Sequence, residues 1–167
     1  MSEFLSPHPN SGTGARSMTR STPGQLEMDV AVSTKTMGIV RTIVTAHLRL
    51  WGLGSLVDRA VVAVSALLDN VVKHVPPPAA GQAPVAQLIL TRIPGNGLFV
   101  SVHDAEETFP RPGVATVWDQ RGRGLRLIEE CADEYGVSPS TGGGKDVWLT
   151  LFNPDRPPSP RSLGEHP

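Results

Sequence analysis

The chain has 167 residues with 15 Lys+Arg against 16 Asp+Glu, so a formal net charge of −1 offers no electrostatic case for nucleic acid or an anionic membrane. Its length suits one domain with a real core. A single cysteine, Cys131, excludes an internal disulfide and a cysteine-based metal site.

No apolar run reaches membrane-spanning length, and "MSEFLSPHPN" lacks the charged and apolar regions of a secretory signal. A soluble, cytoplasmic protein is expected. Residues 1–23 are dominated by Ser, Thr, Pro, Gly and Asn, and residues 153–167 are Pro-rich. Such segments bury too little apolar surface to offset their ordering entropy, so both are expected to be disordered tails around a folded unit of residues 24–152.

Within that unit "LEMDVAV" (26–32) alternates as an opening strand. From Thr34 to Trp51, Met37, Val40, Ile43, Val44, Leu48 and Trp51 recur at helical spacing, and Gly52 and Gly54 suit a helix end and turn. Ser55 is the expected N-cap of a helix over 56–75, with a core stripe of Leu56, Ala60, Ala63, Val64, Leu67, Leu68, Val71 and Val75. Pro76-Pro77-Pro78 ends it. "VAQLILTRI" and "GLFVSVHD" read as strands joined by a Pro94-Gly95-Asn96 hairpin. A last helix is expected from Leu125 to Tyr135, stopped by Gly136, and "KDVWLTLF" is a closing strand. Helices grouped against an antiparallel sheet make the fold class α+β.

Three features interrupt this pattern with chemistry. Ala66, Asn70 and His74 fall at i, i+4 and i+8 on the second helix, with Lys73 beside them, forming a stripe that flanks the apolar one. Asp104 ends a buried-looking strand, where a carboxylate can accept from the exocyclic amine of a base. Gly122-Arg123-Gly124-Leu125 opens a helix, where backbone N–H groups and the helix dipole favour an anion. An asparagine oxygen suits a hard cation such as Mg²⁺. Read singly, Asn70 is a boundary residue, Asp104 a turn residue, "GRGL" an ordinary helix start and His74 a dipole-favoured helix end. Together they are the parts needed to hold a metal-bound nucleotide. Cys131 reads as a small core residue, and Glu129-Glu130 with Asp133-Glu134 as a solvated helix face. "TGGGKD" lacks the first glycine and the hydroxyl of a phosphate-binding P-loop, and "GRGLRL" lacks the third glycine of a dinucleotide fingerprint.

The order of "RAVVAVSALLDNVVKHV", "LFVSVHDAEETFPRP", "GRGLRLIEECADEYGV" and "GGGKDVWLTL" resembles the Bergerat-fold nucleotide-binding domain, above all the bacterial anti-sigma factor serine/threonine kinases. "LRLWGL" is similar to the end of that family's first helix, and the likeness runs from about Leu26 to Phe152. The resemblance implies a two-layer sandwich, with a mixed, mostly antiparallel sheet covered by helices on one face. It implies ATP or ADP with Mg²⁺ as cofactors, Asn70 as the metal ligand and Asp104 as the acceptor from adenine. Gly122, Arg123, Gly124 and Leu125 would meet the phosphates, and Lys73 and His74 would lie near the nucleotide. It implies a sigma factor or an anti-sigma antagonist as partner, and a homodimer. Kinases of this family carry a glutamate as general base four residues before the Asn; here that position is Ala66. Asp69, one residue from Asn70, is turned about 100° away along the helix and cannot replace it. Asp146 stands where a small hydroxyl residue is common beside the adenine, and Ala105 follows Asp104 where Gly or Ser is frequent. The expectation is a nucleotide-binding regulator with little or no phosphotransfer. The alternatives are an active serine/threonine kinase using another base, and a nucleotide-free interaction module.

Overall fold

The computed structural model describes residues 18–75, 77, 79–104 and 123–155. Residues 105–122, among them Ala105, Pro110 and Gly122, lie outside them, as do residues 1–17 and 156–167.

The elements run β1 (Thr19–Thr22), β2 (Gln25–Ala31), α1 (Thr34–Leu50), a 3-10 turn (Gly54–Leu56), α2 (Val57–His74), β3 (Val85–Ile93), β4 (Gly97–Asp104), α3 (Arg123–Cys131), β5 (Glu134–Pro139) and β6 (Lys145–Phe152). The strands form one six-stranded sheet in the order β1-β2-β3-β4-β6-β5. Every described ladder is antiparallel, so no mixed pairing is present among the described residues. The class is α+β, as the patterning implies.

Alternation decides which face is covered. Leu26, Met28 and Val30 on β2, Ala86, Leu88 and Leu90 on β3, Leu98, Val100 and Val102 on β4, and Val147, Leu149 and Leu151 on β6 are all buried. They join Val40, Val44 and Leu48 of α1, Ala60, Ala63, Val64, Leu67, Leu68 and Val71 of α2, and Ile128 of α3 in a single core. The sheet thus gives one face to the helices, and its other face carries half-buried groups such as Glu27, Gln87, Phe99, His103 and Trp148. α2 is the central helix, packed against α1, α3 and the strands β3, β4 and β6.

Local chemistry sets the ends. Ser33 and Thr36 form a capping box at the start of α1, each side-chain oxygen accepting from the other residue's backbone N–H. At its end, Leu53 N–H donates to the Leu48 carbonyl at 2.7 Å and Gly52 N–H to Arg49 at 3.1 Å, with Gly52 at φ 74°. This is the two-bond glycine termination that Gly52 leads one to expect, closed by contact-ready buried leucines at 48 and 53. The hairpin between β3 and β4 is where Pro94-Gly95-Asn96 predicts it, with Gly95 and Asn96 at φ 96° and 70°.

Three boundaries differ from expectation. Ser55 lies inside the 3-10 turn, and α2 begins at Val57 without a side-chain cap. Residues 19–22, placed in the N-terminal tail by their composition, pair with 25–28 as β1, held by backbone bonds that need no apolar side chain. The last helix stops at Cys131, and Glu134 to Pro139 turn back as β5 against β6. Gly136 is therefore a strand residue: a Cβ there would sit 2.7 Å from the Trp148 indole, which lies across it. Trp148 stacks on Phe99 at 6.1 Å between centroids and donates its indole N–H to Ser138 Oγ at 3.1 Å. Asp133, read from the sequence as part of a solvated helix face, instead accepts from Phe152 N–H at 2.6 Å and from Arg59 at 3.1 Å.

Candidate functional site

α2 brings Asn70 over the ends of β4 and β6. Its apolar stripe is held on the sheet by Leu67, Leu68 and Val71, which leaves Asn70 at the margin of that contact, half-buried. A small cavity of about 20 Å³ opens there, lined by Leu67, Asn70, Val71, Val102, Asp104, Lys145 and Val147. Residues far apart in the chain thus converge from three elements. Asn70 Nδ2 is shielded from solvent and makes no hydrogen bond. Leaving such a donor unsatisfied costs about 1–3 kcal/mol, which marks the position as one kept for something other than packing.

The floor of the cavity is ionic. Asp104, 5% exposed, and Lys145, 7% exposed, face each other across the β4–β6 ladder with Nζ 3.7 Å from Oδ1. Removing one partner of a buried ion pair is strongly destabilising in general, because the other charge loses its nearest compensation. Lys145 is the residue that reading along the chain misses. Its signal was present: Val147, Leu149 and Leu151 point inward, so period 2 puts Lys145 on the same face and Asp146 on the other. Asp146 is accordingly not beside the site. It lies on the outer sheet face, its Oδ1 2.7 Å from His103 Nδ1. The "TGGGKD" stretch serves as the hairpin between β5 and β6, with Gly143 and Gly144 at φ 92° and 76°, and delivers Lys145 to its place.

The other expected site residues separate. Lys73 turns to solvent and pairs with Asp69 at 2.6 Å across one helical turn, away from the cavity lining. His74 is the last residue of α2. Arg123, Gly124 and Leu125 form the first turn of α3, and Gly122 lies outside the described residues. Ala66 is 6% exposed and packs in the core, so no carboxylate stands one turn before Asn70. Cys131 carries a thiol pushed above its usual range by burial, with Glu130 adding to the effect and Arg59 opposing it, which is not the setting of an activated nucleophile. A broad hollow between Ser21–Gly24, Leu50–Gly52 and Arg92 offers one charged side chain and no convergent polar set.

As a metal site the cavity is sparse. No group of three or more His, Cys, Asp or Glu is arranged to hold an ion among the described residues. A cation there would take one protein oxygen, from the Asn70 amide, and keep other ligands from water or a phosphate, which is how Mg²⁺ is commonly held. The Asn70 amide can offer either end by a flip, oxygen to a cation or nitrogen to a phosphate oxygen. The donor set therefore fits a metal–nucleotide complex, provided Asp104 can be released from Lys145.

Comparison with models of known protein families and with curated protein sequences gave no match. Among the described residues, no helix is long and apolar enough to cross a membrane.

Proposed function

We propose that this protein is a nucleotide-binding regulator of the anti-sigma type. It would bind ATP or ADP with Mg²⁺ and hold a sigma factor or an anti-sigma antagonist, with little or no phosphotransfer. The observation that carries the reading is the meeting of Asn70 and Asp104 in one cavity, with Asn70 Nδ2 left unsatisfied. The resemblance of the four sequence segments to that family supplies the identity of the ligand and partner.

In this reading Asp104 accepts from the exocyclic amine of adenine, and Asn70 presents its amide oxygen to the cation. Bound Mg²⁺ supplies charge neutralisation at the phosphates. Ala66 has no group to take a proton from an acceptor hydroxyl. A general base contributes about 10²–10⁴-fold in rate, so transfer is expected to be slow even with nucleotide bound.

Calorimetric titration of the full chain with ATP and ADP, with and without Mg²⁺, tests the reading. Binding should require Mg²⁺ for full affinity, and Asn70→Ala should remove that dependence. Asp104→Ala should cut any preference for adenine over guanine nucleotides by about 1–3 kcal/mol. Neither heat nor a thermal shift at millimolar nucleotide would overturn it. The buried Asp104–Lys145 pair favours one second reading, a protein-interaction domain that works without nucleotide.

A further inference from the structure

The cavity is far below the roughly 300–1,000 Å³ of ordinary ligand pockets, and the largest side chain that fills its polar end is Lys145. We infer that Lys145 is a plug: its ammonium occupies the carboxylate of Asp104, and any ligand that uses Asp104 must first displace it. The inference rests on the nucleotide reading for the choice of ligand.

The physical reasons are on both sides of the pair. Lys145 and Asp104 are directly opposed in the ladder and each more than nine-tenths buried, so their charges compensate in a medium that screens them weakly. Exchange of that partner for the neutral N–H of a base replaces an ionic contact by a weaker one. The displaced ammonium must then reach water or the ligand's own acceptors, which its four-carbon stem permits and a short side chain would not. The wild-type pocket is thereby set against weak ligands and in favour of those whose phosphates bring further contacts. Lys145 acts as a specificity-determining residue that raises the threshold for binding.

The test compares the full-length wild type with Lys145→Ser and Lys145→Gln. Lys145→Gln keeps most of the volume and a neutral donor for Asp104, so it serves where the serine variant folds poorly. Titrated with Mg²⁺–ADP, Lys145→Ser should bind roughly tenfold or more tightly than wild type, and Lys145→Gln by a smaller factor. Unchanged or weaker binding by both variants would mean that Lys145 is a ligand of the base or a purely structural partner, and would overturn the inference. A second titration needs no nucleotide. Butylammonium should raise the melting temperature of Lys145→Ser saturably and leave the wild type unmoved, since it would refill the place of the lost side chain. Nucleotide bound equally by wild type and both variants overturns the plug and leaves the nucleotide reading intact; no nucleotide bound by any of them overturns both, because refilling by butylammonium is also expected of a purely structural lysine.

Discussion

In the proposed reading, Ala66 bears more on activity than any residue that lines the cavity. It is 6% exposed, among the leucines and valines of α2 and the sheet, and the helix turns it toward the core. A glutamate grafted there would have to bury a carboxylate that nothing in the core receives. Ala66→Glu is therefore expected to lose about 2–3 kcal/mol of stability, read as a fall in the urea midpoint. The wild type is expected to show no phosphate transfer to a cognate antagonist protein in a radiolabel assay; robust turnover would mean that another group is the base. At this scale the sequence was half legible. Asn70 and Asp104 stood out because an amide in an apolar helix and a carboxylate at the end of an apolar strand conflict with their surroundings. Lys145 did not, because its neighbour Asp146 drew the same attention and only the alternation of Val147, Leu149 and Leu151 tells which of the two faces inward.

Among the elements, α3 and β5 show where local pattern and tertiary packing part. "EECADEYG" continues a helical rhythm, yet the chain leaves the helix at Cys131. Arg59 of α2 is the reason visible in the contacts. It donates to the Cys131 carbonyl from both Nε, at 3.0 Å, and one terminal nitrogen, at 2.6 Å, and from the other to the Phe152 carbonyl at 2.9 Å. The last carbonyl of α3 is thus satisfied by a side chain rather than by another turn of helix. Its ion pair with Asp133 is half exposed and adds little on its own. Arg59→Met should cost about 2 kcal/mol, and Arg59→Lys nearly as much, because one ammonium cannot reproduce the fork. Equal stability of wild type and Arg59→Lys in a denaturant titration would refute this account. Such a stop depends on a residue 72 positions away, so no window of sequence could reveal it.

For the molecule as a whole, α1, the body of α2 and the inner strands followed from period and punctuation, while the edges of the sheet did not. β1 has four exposed residues, Thr-Arg-Ser-Thr, and nothing apolar to announce it. It is held by its pairing with β2 and by Ser21 Oγ, 3.2 Å from His47 Nε2 on α1. A chain starting at Gly24 should consequently melt a few degrees below one starting at Met18, a difference on the order of 1 kcal/mol. Coincident melting curves would show that β1 contributes nothing to stability. The two-layer arrangement was expected only from the resemblance; the α+β class was legible because burial needs only one face of each element to be apolar, which the alternation of the inner strands shows. The sheet order was not, because β6 pairs with β4 across the whole length of α3 and β5.

Lys145 is the first residue after the glycine hairpin, and the residue opposite it on the edge strand β5 is Pro139, which has no N–H to contribute to the ladder. Lys145 has a register partner on each side, Asp104 and Pro139, whereas Asp104 ends β4 and its ladder partner is Lys145, with the β3 pairing reaching only His103. Local opening in proteins begins where the backbone is least tied, at a fraction of the free energy of global unfolding. The rim of the sheet can fray at 139–145 while the leucines at 149 and 151 stay in place. In the plug reading, Lys145 then leaves Asp104 through a small, reversible loosening of one hairpin end and not through unfolding of the domain.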